Sequence, residues 1–241
     1  LKWMKNFNHL KSMTFKSGYH DKASWDTNKR MPSMREREQK NTQFAENLKS
    51  FEHLKNLEEL YLGECIIENI DFLRKCKKIK KLHLDLHTDL TDNDFILKNI
   101  NALKNLKELE ELEISNLYKG VNMDALLSCK KLKKLDLNFN DTDVSLSNKK
   151  DPFVPTGHYV ITKGEYMDSY TSTYNAFDNF KLLKNCNLLE TLVLSGDACP
   201  DIVAYGKISD IEGLKGLKNL KNLNIGENVK ISASDNNIFI N

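Results

Sequence analysis

The segment His83-Leu-Asp85-Leu-His87-Thr-Asp89 holds the residue types most suited to chemistry in this chain. On an extended strand, side chains alternate between faces, so His83, Asp85, His87 and Asp89 would share one face, as metal ligands must. Glu111 or Glu113 on a neighbouring strand would be the further ligands of such a set. The five cysteines are the second place to look, yet none of their spacings forms CxxC or a zinc pattern. The sequence contains no glycine-rich phosphate loop and no nucleophile elbow. No catalytic, cofactor or metal residue is therefore assigned, and the chain is read as a non-enzyme.

The elements that position these residues follow from one recurring frame. In Leu57-Glu-Glu-Leu60-Tyr-Leu62-Gly-Glu-Cys65-Ile-Ile67, apolar residues fall at the first, fourth and sixth places, with a turn-forming ninth. The frame restarts at Ile79, Leu109, Leu132, Leu189 and Leu220, and a weaker copy begins at Leu10. Its unit is about 22 residues, and three longer gaps carry inserted material. Alternating Leu-x-Leu predicts a short strand, and the apolar threes of the return segment predict a helical or 3-10 turn. One unit buries too little to stand alone, so successive units must stack on a continuous core.

That frame weakens the metal reading. His87 takes the ninth place, where the backbone turns, which leaves only His83 and Asp85 side by side. Cys76, Cys129 and Cys186 each stand three residues before a start, level with Leu54, Leu106 and Leu217. Cys65 takes a ninth place and Cys199 the apolar place two beyond, so all five read as buried packing thiols.

The pattern LxxLxLxx(N/C)xL resembles the leucine-rich repeat superfamily. Ile208-Ser-Asp-Ile211-Glu-Gly-Leu214-Lys-Gly-Leu217-Lys-Asn-Leu220-Lys-Asn-Leu223-Asn-Ile225-Gly-Glu-Asn228 is similar to the 22-residue class of internalins and of the leucine-rich regulator of protein phosphatase 1. The resemblance implies an α/β solenoid, a right-handed horseshoe with a concave parallel β-sheet, used to bind other proteins. It covers nearly all of the chain outside three insertions, and the chain is read as a single domain over 1–241 with about seven irregular repeats. At the ninth place stand Gly18, Cys65, His87, Leu117, Asn140, Asp197 and Asn228, so a regular asparagine ladder is not expected there.

On this frame the solvent side of the sheet carries the third, fifth, seventh and eighth places. Glu59, Glu64, Asp85, Glu111, Glu113 and Asp136 then cluster beside Tyr61, His83 and Phe139 as an acidic centre suited to a basic segment of a partner. Insertions interrupt the frame at 18–47, 145–180 and 199–207. In the first, Ser33 would cap a helix whose Phe44, Leu48, Phe51 and Leu54 share a face. The second holds Phe153, Tyr159, Tyr166, Tyr170 and Tyr174 among prolines and glycines. Aromatic loop residues are the usual material of binding hot spots, and they equally serve to anchor a long loop; both readings stay open.

A net charge of +2 with 29% charged residues does not describe a general polyanion binder, and the lysine clusters around Ile79 and Leu132 are interrupted by Glu108, Glu110 and Glu111. Nucleic acid is thus not the expected partner. No apolar run is long enough to span a bilayer. The thiols point to an intracellular, cytoplasmic setting, while a first residue that is Leu leaves a removed signal peptide open. The expectation is a non-enzymatic protein-interaction scaffold or adaptor that uses the concave face and the aromatic insertion. The alternatives are the substrate-recognition region of a larger enzyme or effector, or a phosphatase-regulator-like subunit.

Overall fold

The computed structural model of the chain describes residues 6–16, 47–86, 97–117, 121–139, 180–196, 206–208, 212–225 and 229–231. Each Leu-x-Leu stretch is a strand: β1 Ser12–Lys16, β2 Glu59–Cys65, β3 Lys81–Leu86, β4 Glu111–Leu117, β5 Lys134–Phe139 and β6 Thr191–Gly196. Three short strands follow, β7 Gly206–Ile208, β8 Asn222–Ile225 and β9 Val229–Ile231. The main sheet is seven-stranded and parallel, in the order β1-β2-β3-β4-β5-β6-β8, so each strand pairs with its neighbour along the repeat series. A separate parallel pair joins β7 to β9, and the repeat frame contains no sign of it.

The leucines stack in register. Leu60, Leu82, Leu112, Leu135 and Leu192 pair in series, as do Leu62, Leu84, Ile114, Leu137 and Leu194, and all are buried. Each such side chain contributes about 1.5–3 kcal/mol by leaving water. The return segments are 3-10 turns at Ser50–His53, Asp71–Leu73, Asn101–Asn105, Asp124–Ser128, Phe180–Leu183 and Glu212–Gly216. They seal the other side of the core through Phe51, Leu73, Leu103, Leu126 and Leu183. Gly213 lets two of these turns touch, since a Cβ there would collide with the Phe180 carbonyl.

Asparagine does form a ladder, on the side opposite the sheet. Asn69 pairs with Asn99 and Asn99 with Asn122 in isolated parallel bridges. Their side-chain oxygens accept from the backbone N–H of Asp71, Asn101 and Asp124, at 3.0, 3.1 and 3.0 Å. Each thereby satisfies a donor at the start of a 3-10 turn.

Cys76, Cys129 and Cys186 are fully buried or nearly so, and Cys65 is 1% exposed. All four are free thiols, and burial pushes each up to about 12. They hydrogen-bond to backbone carbonyls, Cys76 to Phe51 at 3.2 Å and Cys65 to Asp85 at 3.4 Å. Cys199 lies outside the described residues. So do most of the three insertions: of the expected first-insertion helix, residues 47–49 are helical and run into the 3-10 turn at Ser50–His53, with Leu48, Phe51 and Leu54 buried.

Candidate functional site

One row of side chains crosses the solvent face of the sheet. Thr14, Tyr61, His83, Glu113, Asp136, Val193 and Asn224 are paired in register from β1 to β8. Tyr61, His83, Glu113 and Asp136, four of the residues singled out in the sequence, are thus adjacent.

Tyr61 stands at the head of the group. Its ring meets the His83 ring edge-on, with centroids 4.6 Å apart. It leans along its own strand over Gly63, where an added Cβ would lie 2.8 Å from Tyr61 Cε1 and 3.2 Å from its hydroxyl oxygen. The phenol is pushed above its ordinary value by burial first, then by the charges of Asp85 and Glu64 and a hydrogen bond to Asp85. His83 Nδ1 lies 2.9 Å from Glu113 Oε2. Lys134 pairs with the other Glu113 oxygen and lies 3.8 Å from Asp136 Oδ2. Burial pushes the Asp136 carboxyl up; Lys134 and His83 pull it down, and Glu113 adds to the rise.

The acidic centre is therefore a mosaic. Lys81 also binds Glu111, at 3.1 Å. The third place of the frame alternates Glu59, Lys81, Glu111 and Lys134 across register-paired strands. Glu59, Glu64, Asp85, Glu111, Glu113 and Asp136 still outnumber Lys16, Lys81 and Lys134 on this face, so its sign stays negative. The two central lysines were legible as members of the frame, but their pairing shows only once the repeats are laid in register. Among the described residues, no group of three or more His, Cys, Asp or Glu side chains is placed to hold a metal ion.

The frame misplaces two residues. Between β2 and β3, Gly63 and Glu64 lie opposite Asp85 alone, and Cys65 pairs with Leu86. Between β4 and β5, Ser115 and Asn116 lie opposite Asn138 alone, and Leu117 pairs with Phe139. Leu86 and Phe139 are thus level with the ninth-place residues Cys65 and Leu117 of the neighbouring strands, while His87 and Asn140 lie outside the described residues. Leu86 is buried and Phe139 packs partly buried against the core, so Phe139 is not part of the solvent face. The extra residues Glu64 and Asn116 adopt φ of 53° and 59°, the left-handed conformation a bulge demands.

Asn116 is the missed residue with most to hold. Its side-chain NH2 donates to Asp85 Oδ1 at 3.1 Å and to the Leu86 carbonyl at 3.0 Å. Its backbone N–H points to Asn138 Oδ1 at 3.4 Å, and Asn138 donates to Ser195 Oγ at 3.1 Å. This chain of bonds fixes Asp85, whose charge acts on the Tyr61 phenol. Phe153, Tyr159, Tyr166, Tyr170 and Tyr174 lie outside the described residues; their insertion follows β5 in the sequence.

Parallel strands in serial order, a 3-10 return in each unit and a shared leucine core make this chain a leucine-rich repeat solenoid. No protein-family model matches the sequence, and no curated protein is significantly similar to it. Among solved structures, it is similar to internalin C2 of Listeria monocytogenes, at 20% identity over 78% of this chain and 59% of that one, with a TM-score of 0.46. A leucine-rich repeat protein of Leptospira interrogans matches at 16% identity over 91% and 50%, with a TM-score of 0.37. An internalin F of Listeria monocytogenes matches at 18% over 76% and 52%, with a TM-score of 0.30. The chain spans less than two thirds of the length of each of these structures.

Proposed function

We propose that the chain is a non-enzymatic protein-interaction scaffold whose concave face receives a basic segment of a partner protein. The row Tyr61, His83, Glu113 and Asp136, with Asp85 and Glu111 beside it, is the contact surface. The observation that carries this reading is the placement of Tyr61. Gly63 gives its ring room and the His83 ring meets it edge-on with centroids 4.6 Å apart, so an aromatic group is fixed in advance on an acidic surface. An aromatic side chain held in one orientation loses little entropy on binding, which is what makes tyrosine a frequent hot spot. The face is open and wet, which suits recognition and not low-dielectric catalysis. Phe153, Tyr159, Tyr166, Tyr170 and Tyr174 form the second contact of this proposal, from the insertion that follows β5.

The two contacts separate kinetically. With a partner isolated from the native host, charge reversal at Glu113 and Asp136 should slow association and reduce its salt dependence. Replacing Tyr166 and Tyr170 with Ala should speed dissociation, by about 1 kcal/mol or more per hot-spot residue. Unchanged affinity in both sets, with folding intact by circular dichroism, would place the interface elsewhere.

A further inference from the structure

The edge of the sheet where the strands begin shows a second charge pattern. Every repeat reaches its strand through the same hydrogen-bonded turn, closed by Leu10 N–H to Phe7 O, Leu57 to Leu54, Ile79 to Cys76, Leu109 to Leu106, Leu132 to Cys129, Leu189 to Cys186 and Leu220 to Leu217, at 3.0–3.2 Å. The first corner of that turn is Lys55, Lys77, Lys107, Lys130 and Lys218 in five of these units, with Asn8 and Asn187 in the other two. All five lysines are exposed. The ion pairs of this edge go to other lysines: Lys80 and Lys11 to Glu58, Lys133 to Glu110, Lys221 to Glu190, Lys131 to Glu108. Among the described residues no carboxylate lies within ion-pair distance of Lys55, Lys77, Lys107, Lys130 or Lys218.

The contrast between adjacent rows is informative. Just inside the turn, Lys11, Glu58, Lys80, Glu110, Lys133, Glu190 and Lys221 alternate in sign along the solenoid, as a row that must cohere would. At the first corner lysine stands in five of the seven units and makes no ion pair among the described residues, while Glu108, at one second corner, pairs with Lys131. Parallel repeats stack about 5 Å apart, well inside the ~8 Å screening length of physiological salt, so the ammonium groups repel one another and their potentials add. Fold stability gives no reason for such a row.

We propose that this lysine ridge is a peripheral contact surface for the anionic headgroup plane of a lipid bilayer. The corners project from the rim of the molecule, so they form a line that a flat surface can meet without a groove. Lysine serves as a point charge and needs no bidentate partner. Leu188, at the second corner of the turn whose first corner is Asn187, is 45% exposed and extends the ridge with an apolar side chain that can enter the interface. In the five turns that carry these lysines neither corner is aromatic, so a stacking platform for single-stranded nucleic acid is missing beside them. The ridge is separate from the concave face, and its function does not depend on what that face binds.

Vesicle co-sedimentation of the full chain tests this directly. The protein should pellet with vesicles of phosphatidylcholine and phosphatidylserine, stay in solution with phosphatidylcholine alone, and be released by high salt. Removing each lysine charge should weaken binding about fivefold. The variant with Lys77→Gln, Lys107→Gln and Lys130→Gln should therefore lose nearly all binding, whereas Glu113→Gln on the concave face should leave it intact. Equal partition onto neutral vesicles, undiminished binding by the triple variant, or no vesicle binding at all would overturn the proposal. Capture on heparin or single-stranded DNA without vesicle binding would do the same, and would assign the ridge to a polyanionic chain.

Discussion

Asn116 is where conformation and recognition meet at the scale of one residue. It holds a left-handed backbone angle of 59° and bonds both Asp85 and the Leu86 carbonyl. A left-handed L-residue costs about 1–2 kcal/mol and each hydrogen bond returns about 1 kcal/mol, so the amide side chain offsets the strain it sits in. Asn116→Ala should lower stability by about 2 kcal/mol, while Asn116→Gly, which relieves the backbone but keeps no bond, should lose about half as much. Urea denaturation measures both; equal losses would mean that the backbone angle contributes nothing. Little of this was legible in the sequence. Asparagine at that place is compatible with a bulge, but Glu64 occupies the same conformation in β2, and nothing about a glutamate announces it. β5 carries no such extra residue, which is why Phe139 falls on the core side of the sheet, level with Leu117.

At the scale of elements, the alternating row inside the turn couples one repeat to the next. Hydrogen bonds from Lys80, Lys133 and Lys221 hold the carboxyls of Glu58, Glu110 and Glu190 below the ordinary glutamate value, and Glu58 and Glu110 hold Lys80 and Lys133 above the ordinary lysine value. A depressed carboxyl contributes stability above its unfolded value and loses it as pH falls through the lower folded one; a raised ammonium contributes below its unfolded value and loses it as pH climbs. The row should therefore support a thermal plateau between those limits, with Tm falling on the acid side below the normal glutamate range. Glu110→Lys, which sets a third ammonium between Lys80 and Lys133, should lower Tm more than Glu110→Gln, and the gap should narrow as salt is added. A gap independent of salt would show that these exposed pairs carry no coupling. The strands themselves were legible, because Leu-x-Leu recurs with its period intact from Leu57 to Leu223. The Lys and Glu alternation was legible only in part: clusters around Ile79 and Leu132 stand out, but their partners are a repeat away and need the register to be seen. The asparagine ladder of Asn69, Asn99 and Asn122 was missed because it lies outside the ninth place of the frame.

At the scale of the whole molecule, a solenoid divides its edges between tasks. The edge where strands begin repeats one turn seven times over, with its charge rows in register. The insertions read in the sequence at 18–47, 145–180 and 199–207 follow the other ends of β1, β5 and β6 along the chain. Variation confined to one rim leaves the stacking of repeats undisturbed, which is how a one-dimensional fold tolerates long insertions. The candidate face lies between those edges, and its use in recognition is the central claim. Site-specific photo-cross-linking in extract from the native host tests it most directly, with the reactive group placed in turn at Tyr61, at Asp136 and, after a 3-10 turn on the opposite layer, at Arg74. The Tyr61 and Asp136 positions should capture one and the same protein while the Arg74 position captures none of it. Capture from Arg74, with nothing from the concave positions, would contradict it.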